Sequence, residues 1–307
     1  MPLAPSSPWL AALVDYAGLF PPANLDLPAA IAAYDRYRRG PLAPMLGRFI
    51  VPADSLPRLV DALEALCPEP ATAWQLSVLV GGDLRAGLQR IDDVLGGRPD
   101  LVQISAVEAL GSPAAMTRQA GIDALPDLGG GRTEYFFEVP WQVEVDPRAT
   151  AQEAQAFGVG LKIRTGGVSV EAIPPSRAVA RFLQACSGSR IPFKATAGLH
   201  HPLAGDYPLT YEPDSPRGRM HGFLGLFAAA AMLWHGRLDS AACEPLIECD
   251  VPPSLSPDTG ELLFGQVAIS RDEISEAREL YARSFGSCSF EEPVADLRAL
   301  GLLGDAS

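Results

Sequence analysis

The sequence predicts a closed (β/α)8 barrel, the TIM barrel, with a long insertion between its seventh and eighth strands. Strand-like runs alternate with helical ones eight times, and alternation of this kind argues for a parallel sheet. The length of 307 residues is close to that usual for eight such units closed on themselves. No Gly-x-Gly-x-x-Gly follows the first strand, so an open dinucleotide-binding sheet lacks its fingerprint. No linker of Gly, Ser or Pro divides the chain, and residues 1–307 read as one barrel domain.

The first strand is expected near Ala12–Tyr16, with a helix over Leu27–Arg39. The second is Arg48–Val51, followed by a helix after Asp54. The third is Trp74–Val80, with a helix over Asp83–Leu95. The fourth is Leu101–Ser105, with a helix after Ser112, and the fifth is Glu134–Val139, with a helix near Thr150–Phe157. The sixth is Gly160–Ile163, with a helix over Pro175–Cys186, and the seventh is Pro192–Thr196. The eighth, Phe285–Ser289, precedes a last helix over Glu291–Leu300.

The insertion covers residues 201–270. A polar, Pro-rich loop (Pro202–Met220) leads into an apolar helix (His221–His235) closed by Gly236 as a C-cap. An irregular segment with Pro252, Pro253, Pro257 and Gly260 follows. Ser270 with Glu273 reads as a capping box that opens a helix over Arg271–Arg283, the partner of strand seven. The insertion leaves the barrel at the face where active sites sit, so it is expected to form a lid or pocket wall.

Composition excludes several classes. Hydrophobic residues make up 48% and charged residues 20%, a globular balance that rules out a disordered chain or a coiled coil. The longest apolar stretch, Phe223–Trp234, is too short to span a bilayer, and no basic segment precedes an apolar one at the start. A net charge of −13 argues against nonspecific nucleic-acid binding. The five cysteines (67, 186, 243, 249, 288) form no CxxC pair, and an odd, scattered set predicts reduced thiols and a cytoplasmic protein. Gly81-Gly82 and Gly129-Gly130-Gly131 have no phosphate-loop pattern.

Of 24 basic side chains only two are lysine, Lys162 and Lys194. Arginine stays protonated, whereas a lysine amine can lose its proton and act as a nucleophile. The two lie on adjacent strands, one βα unit apart. If Leu161 and Ile163 pack outward, Lys162 and Arg164 point inward; if Phe193 and Ala195 pack outward, Lys194 and Thr196 point inward. Two like charges in a partly dry site disfavour each other's protonation, which is expected to make one amine nucleophilic near neutral pH. An anion site is the alternative use of such a pair.

Lys162 is followed three residues later by Thr165-Gly166, and Lys194 by a small-residue turn through Gly198; in these features the chain resembles the deoxyribose-phosphate aldolase family of class I aldolases. Val14 to Ala23 is similar to that family's opening strand, and Phe136-Phe137-Glu138 matches a strand-five apolar pair ending in Glu. Lys-Ile-Arg-Thr-Gly (162–166) resembles its Schiff-base motif, and Lys-Ala-Thr-Ala-Gly-Leu (194–199) its strand-seven motif. Residues 283–289, with the helix ending in Leu-Arg-Ala-Leu-Gly, are similar to the last strand and helix. The resemblance implies that Lys162 forms the imine, that Lys194 lowers its pKa, and that Gly198, Gly286, Ser287, Cys288 and Ser289 mark where a substrate phosphate is held. It implies no cofactor. Three departures stand out: Gln103 takes the place of the strand-four aspartate, Ala-Gly-Leu-His-His replaces a Gly-Gly turn with a basic residue, and the insertion has no counterpart.

Asp15 and Glu138 are expected inside the barrel, where carboxylates need partners; the lysines and Arg164 are available, and each carboxylate reads equally as acid–base group or counter-ion. His200 and His201 follow strand seven at the active face and are candidates for binding an anion, moving a proton or, with His221 and Asp206, ligating a metal. His235 beside Gly236 reads as a helix-terminal residue, and Cys288 as a small packed residue. The expected function is an imine-forming lyase on a small carbonyl or phosphorylated metabolite. A metal-dependent hydrolase or isomerase on His200 and His201, and a non-catalytic barrel that binds an acidic metabolite, are the alternatives. The expected partner is thus a small molecule, with no nucleic acid and no membrane, and self-association is left open.

Overall fold

A computed structural model describes residues 2–66, 72–96, 100–122, 124–128, 133–142, 146–256 and 259–304. Cys67, Gly129, Gly130, Gly131 and Pro257 lie outside the described residues.

Eight parallel strands close into a barrel. They are β1 (Val14–Tyr16), β2 (Leu46–Pro52), β3 (Trp74–Gly81), β4 (Val102–Leu110), β5 (Glu134–Val139), β6 (Gly160–Arg164), β7 (Phe193–Thr196) and, last in the chain, β13 (Ala282–Ser287). The order round the barrel is β1-β13-β7-β6-β5-β4-β3-β2, so each strand pairs with its sequence neighbours and β1 closes on β13. The expected α/β barrel is therefore the observed one. Around it run α1 (Leu27–Arg38), α2 (Leu56–Leu66), α3 (Leu84–Leu95), α4 (Pro113–Ala120), α5 (Pro147–Phe157) and α6 (Ser176–Gly188). Their starts are chemically marked: Asp26, Asp83, Ser112 and Asp146 each accept a first-turn backbone N–H. Among the described residues no helix is long and apolar enough to cross a membrane.

The insertion divides in two. Residues 205–220 form a hairpin, β8 (Gly205–Pro208) with β9 (Arg217–Met220), beside the barrel mouth. The apolar helix α7 (Phe223–Trp234) does not belong to a lid. All twelve of its residues are buried, and Phe227 packs near Phe193 of β7 and Phe285 of β13. A helix apolar on every side needs cover on every side. That cover exists only in the outer layer, among α6, α8 (Ser240–Ile247) and α9 (Arg271–Leu280). The expectation that all of 201–270 lies over the mouth is corrected accordingly. A small antiparallel sheet, β10 (Ser254–Leu255), β11 (Leu262–Phe264) and β12 (Val267–Ile269), leads into α9, whose Ser270–Glu273 capping box is present. Gly236, at φ +65, follows α7 as expected. Helix α9 stops at Leu280, short of the expected Arg283, because Ala282 already begins β13. Helix α10 (Glu291–Ala299) ends the fold.

Strand β4 departs most from expectation: it runs to Leu110 rather than ending at Ser105. Its register against β3 shifts between Ile104 and Ala106, so Ser105 is the extra residue of a bulge. A bulge inverts which alternate residues face inward. Counting from Gln103 in steps of two turns Glu108 outward; after the bulge Glu108 is an interior residue, 2% exposed.

Candidate active site

Register places Glu138, Lys162 and Lys194 side by side on β5, β6 and β7, all pointing inward as strand parity predicts for the lysines. Both lysines are almost wholly buried. Glu108 reaches across from β4. Its Oε2 lies 2.7 Å from Lys162 Nζ and its Oε1 lies 2.6 Å from Lys194 Nζ. Glu138 Oε2 adds a contact of 2.8 Å to Lys162, and Glu138 Oε1 pairs with Arg164 Nε at 3.3 Å. Asp15 Oδ2 lies 2.6 Å from Lys194 and accepts from Ser284 Oγ at 2.7 Å, while Asp15 Oδ1 accepts the Arg48 backbone N–H at 2.7 Å. Arg48 in turn pairs with Glu134, and Glu134 with Arg283 at 2.7 Å.

The result is a chain of alternating charge along the barrel axis, from Arg164 at the mouth to Arg283 at the opposite end. Each buried charge has an opposite partner, as burial requires. Burial raises the cost of charging Glu108, but Lys162 and Lys194 outweigh it and hold its carboxyl well below the usual carboxylate range. Burial likewise opposes charge on Lys162, yet Glu108 and Glu138 override it and raise its pKa. The expectation that Lys194 leaves Lys162 with a lowered pKa is therefore corrected. The carboxylate between the two amines replaces repulsion with attraction.

A cavity of about 360 Å³ opens at the C-terminal mouth of the strands. Of the two lysines, Lys162 lines it; Glu108, Arg164, Thr196, Gly198, His200, His201 and Gly286 also contribute. Leu209, Thr210, Tyr211 and Met220 of the hairpin supply one wall, so this part of the insertion does flank the mouth. Gly198 is set by backbone contact. At φ +76, a Cβ there would lie 2.6 Å from Gly166 Cα and 2.8 Å from the Thr165 carbonyl oxygen, so the loops after β6 and β7 touch. Thr165 Oγ1 donates to the Ala197 carbonyl and ties the same loops together.

Other expected site residues lie elsewhere. Asp15 reaches Lys194 and the cavity at the opposite end of the barrel, so it serves as a counter-ion there. Ser287 is buried, and its Oγ accepts the Ser289 N–H at 3.3 Å; Ser289 Oγ accepts the Glu292 N–H at 3.1 Å and caps the start of α10. Neither serine lines the mouth cavity. Gln103 accepts from Gln75 Nε2 at 2.8 Å, well below the lysines. The carboxylate that β4 brings to the two lysines is Glu108.

The adjacent histidines splay apart, each with its own carboxylate. His200 Nδ1 is 2.8 Å from Glu292 Oε2, and His201 Nδ1 is 2.6 Å from Asp296 Oδ2. The His201 ring stacks on Tyr207 at 3.5 Å between centroids. His221 Nε2 meets the Pro174 carbonyl oxygen at 2.8 Å and Asp206 pairs with Arg217, so neither joins the histidine pair. Among the described residues no three His, Cys, Asp or Glu side chains are grouped to hold a metal ion. His235 Nε2 is 3.1 Å from the Glu273 carbonyl oxygen at the end of α7, a structural place. Burial opposes charge on His200, but its contacts with Cys288 and Glu292 raise its pKa to about 9.

Sequence reasoning missed Glu108, Glu292 and Tyr211. The signal for Glu108 was its isolation as the one charge within Ala106–Leu110. No family model matches the chain, and no curated protein matches it.

Proposed function

We propose that the chain is an imine-forming carbon–carbon lyase acting on a small carbonyl metabolite, with Lys162 as the nucleophile. The observation that carries this reading is the position of Lys162. It is a buried amine facing a cavity of metabolite size and touching two carboxylates, of which Glu138 can take its proton.

The ammonium of Lys162 first hands a proton to Glu138, the partner nearer the mouth. The free amine attacks the carbonyl carbon, and the carbinolamine loses its hydroxyl as water after protonation. The protonated imine then draws in the electron pair of the adjacent carbon–carbon bond as that bond breaks, or supplies an enamine for bond formation in reverse. Hydrolysis returns the amine. Glu108 stays ionised beside Lys162 and stabilises the cationic imine. Lys194 and Asp15 balance the charge of Glu108 and each other. Arg164, Thr196 and the Gly198 turn line the substrate's path, and Arg164 suits a carboxylate or phosphate on it.

The test is borohydride reduction in the presence of short aldehydes, 2-oxo acids and sugar phosphates. Reduction should fix the carbon skeleton on Lys162. Only Lys194 and the α-amine compete, so a peptide map is decisive. Lys162→Met should remove the adduct. No adduct across the panel, or one confined to Lys194 or the α-amine, would reject the reading. Activity lost to a chelator and restored by Zn²⁺ or Mn²⁺ without any adduct would favour a metal-dependent enzyme instead.

A further inference from the structure

A second set of reactive groups lines the same cavity. Cys288 Sγ lies 3.9 Å from His200 Nε2, and the other ring nitrogen of His200 faces Glu292 Oε2 at 2.8 Å. The imidazole thus bridges a thiol and a carboxylate that orients it, the arrangement that lets a histidine carry a proton away from sulfur. Tyr211 of the hairpin closes the group. Its hydroxyl lies 3.5 Å from Cys288 Sγ and donates to Glu292 Oε2 at 2.9 Å. Cys288, His200, Tyr211 and Glu292 all line the cavity that holds Lys162.

The four come from separate places: the end of β13, the loop after β7, the hairpin and the first turn of α10. Tyr16 of β1 also interacts electrostatically with the thiol. The other described thiols lack this setting. Cys243 Sγ faces the Ala229 carbonyl oxygen, Cys249 Sγ the Val251 carbonyl oxygen, and Cys186 is buried in α6.

We propose that Cys288, with His200 as proton carrier and Glu292 orienting the ring, is a second nucleophilic site that holds an aldehyde as a thiohemiacetal. His200 Nε2 already holds the thiol proton when sulfur attacks the carbonyl carbon. The carbon–oxygen π pair moves to oxygen, which takes that proton from His200. One carbon–sulfur bond forms, nothing is oxidised or reduced, and nothing leaves, so release is the simple reverse. The site would hold an aldehyde substrate or fragment within reach of the mouth without requiring that Lys162 react.

The test is alkylation by iodoacetamide, followed residue by residue by mass spectrometry. At pH 7 Cys288 should react at least about tenfold faster than Cys249, as a thiol paired with an imidazole does. His200→Gln should remove that advantage and leave the Cys249 rate unchanged. Millimolar glycolaldehyde should slow labelling of Cys288, and should do so equally in Lys162→Met, which cannot form the imine. Cys288 reacting no faster than Cys249 in the unaltered protein overturns the proposal, and that measurement needs no variant to fold. An unchanged rate in folded His200→Gln, or no protection by glycolaldehyde, overturns it as well. Protection that vanishes in Lys162→Met would assign the aldehyde to the imine site alone and also reject it.

Discussion

Glu108 Oε2 lies 2.7 Å from Lys162 Nζ, although β4 and β6 are not neighbours in the barrel. The same carboxylate takes Lys194 with its other oxygen. Two amines that would repel each other are thereby joined through a shared anion, and the electrostatics of the site follow from that bridge.

The bridge should show as energetic coupling. Glu108→Gln leaves two buried ammonium groups underpaired, and Lys194→Met leaves Glu108 and Asp15 underpaired. Each single variant should lose about 3–5 kcal/mol, the usual cost of breaking a buried pair from one side. The double variant should lose clearly less than the two together, because each change removes the charge that the other orphans. Urea unfolding of all four proteins measures the cycle, and simple additivity would refute the bridge.

Glu138 should set the protonation of Lys162, the proposed nucleophile. Burial opposes charge on Lys162, but Glu108 and Glu138 raise its pKa, so imine trapping should increase with rising pH. Glu138→Gln removes one attraction and should move that limb to lower pH, at the cost of a lower plateau if Glu138 also accepts the proton. Glu108→Gln should move it in the same direction. A limb that stays in place or moves upward in Glu138→Gln would show that Glu138 does not control the amine.

His200 should carry a positive charge at neutral pH, with its midpoint raised to about 9. A raised folded pKa contributes stability that is complete below the ordinary histidine value and lost as pH rises through the folded one. The chain should therefore lose on the order of 3 kcal/mol between pH 7 and 10 through this group. Urea unfolding at the two pH values measures the loss, and His200→Gln should abolish it. A His200 ring resonance that titrates near its ordinary value would contradict the assignment.

The hairpin should be dispensable for folding and needed for chemistry. Gly205 and Met220 are register partners, so residues 206–219 can be replaced by two glycines without pulling the barrel apart. The shortened chain should still unfold cooperatively. Trapping on Lys162 should slow on the order of tenfold to a hundredfold, since a wall that positions substrate has been removed. Trapping at the original rate would show that the hairpin is not part of the site.

Much of the site was legible because strand periodicity is local. Lys162, Lys194, Arg164 and Thr196 were placed by counting in steps of two, and each step held on β6 and β7. The same count failed on β4. Ser105 bulges there, and nothing in Val-Gln-Ile-Ser-Ala-Val-Glu announces where register slips against a strand elsewhere in the sequence. Helix α7 failed for a related reason. Its apolar character was plain, but whether it lay over the mouth or in the outer layer depends on which surfaces remain uncovered around it.

The sequence by itself determined the alternation that closes the barrel, the scarcity of lysine and the inward face of both amines. These are properties of short windows and of composition. Only the tertiary structure decided what those amines touch. Barrel closure brings β4 within reach of β6 and β7, so Glu108 meets side chains 54 and 86 positions away. It also brings Cys288 and Glu292 to a histidine 88 and 92 positions away. Inward side chains meet across the interior according to strand stagger rather than sequence distance. Charge chemistry is decided by those meetings, because in a dry interior the nearest opposite charge outweighs the group's own preference.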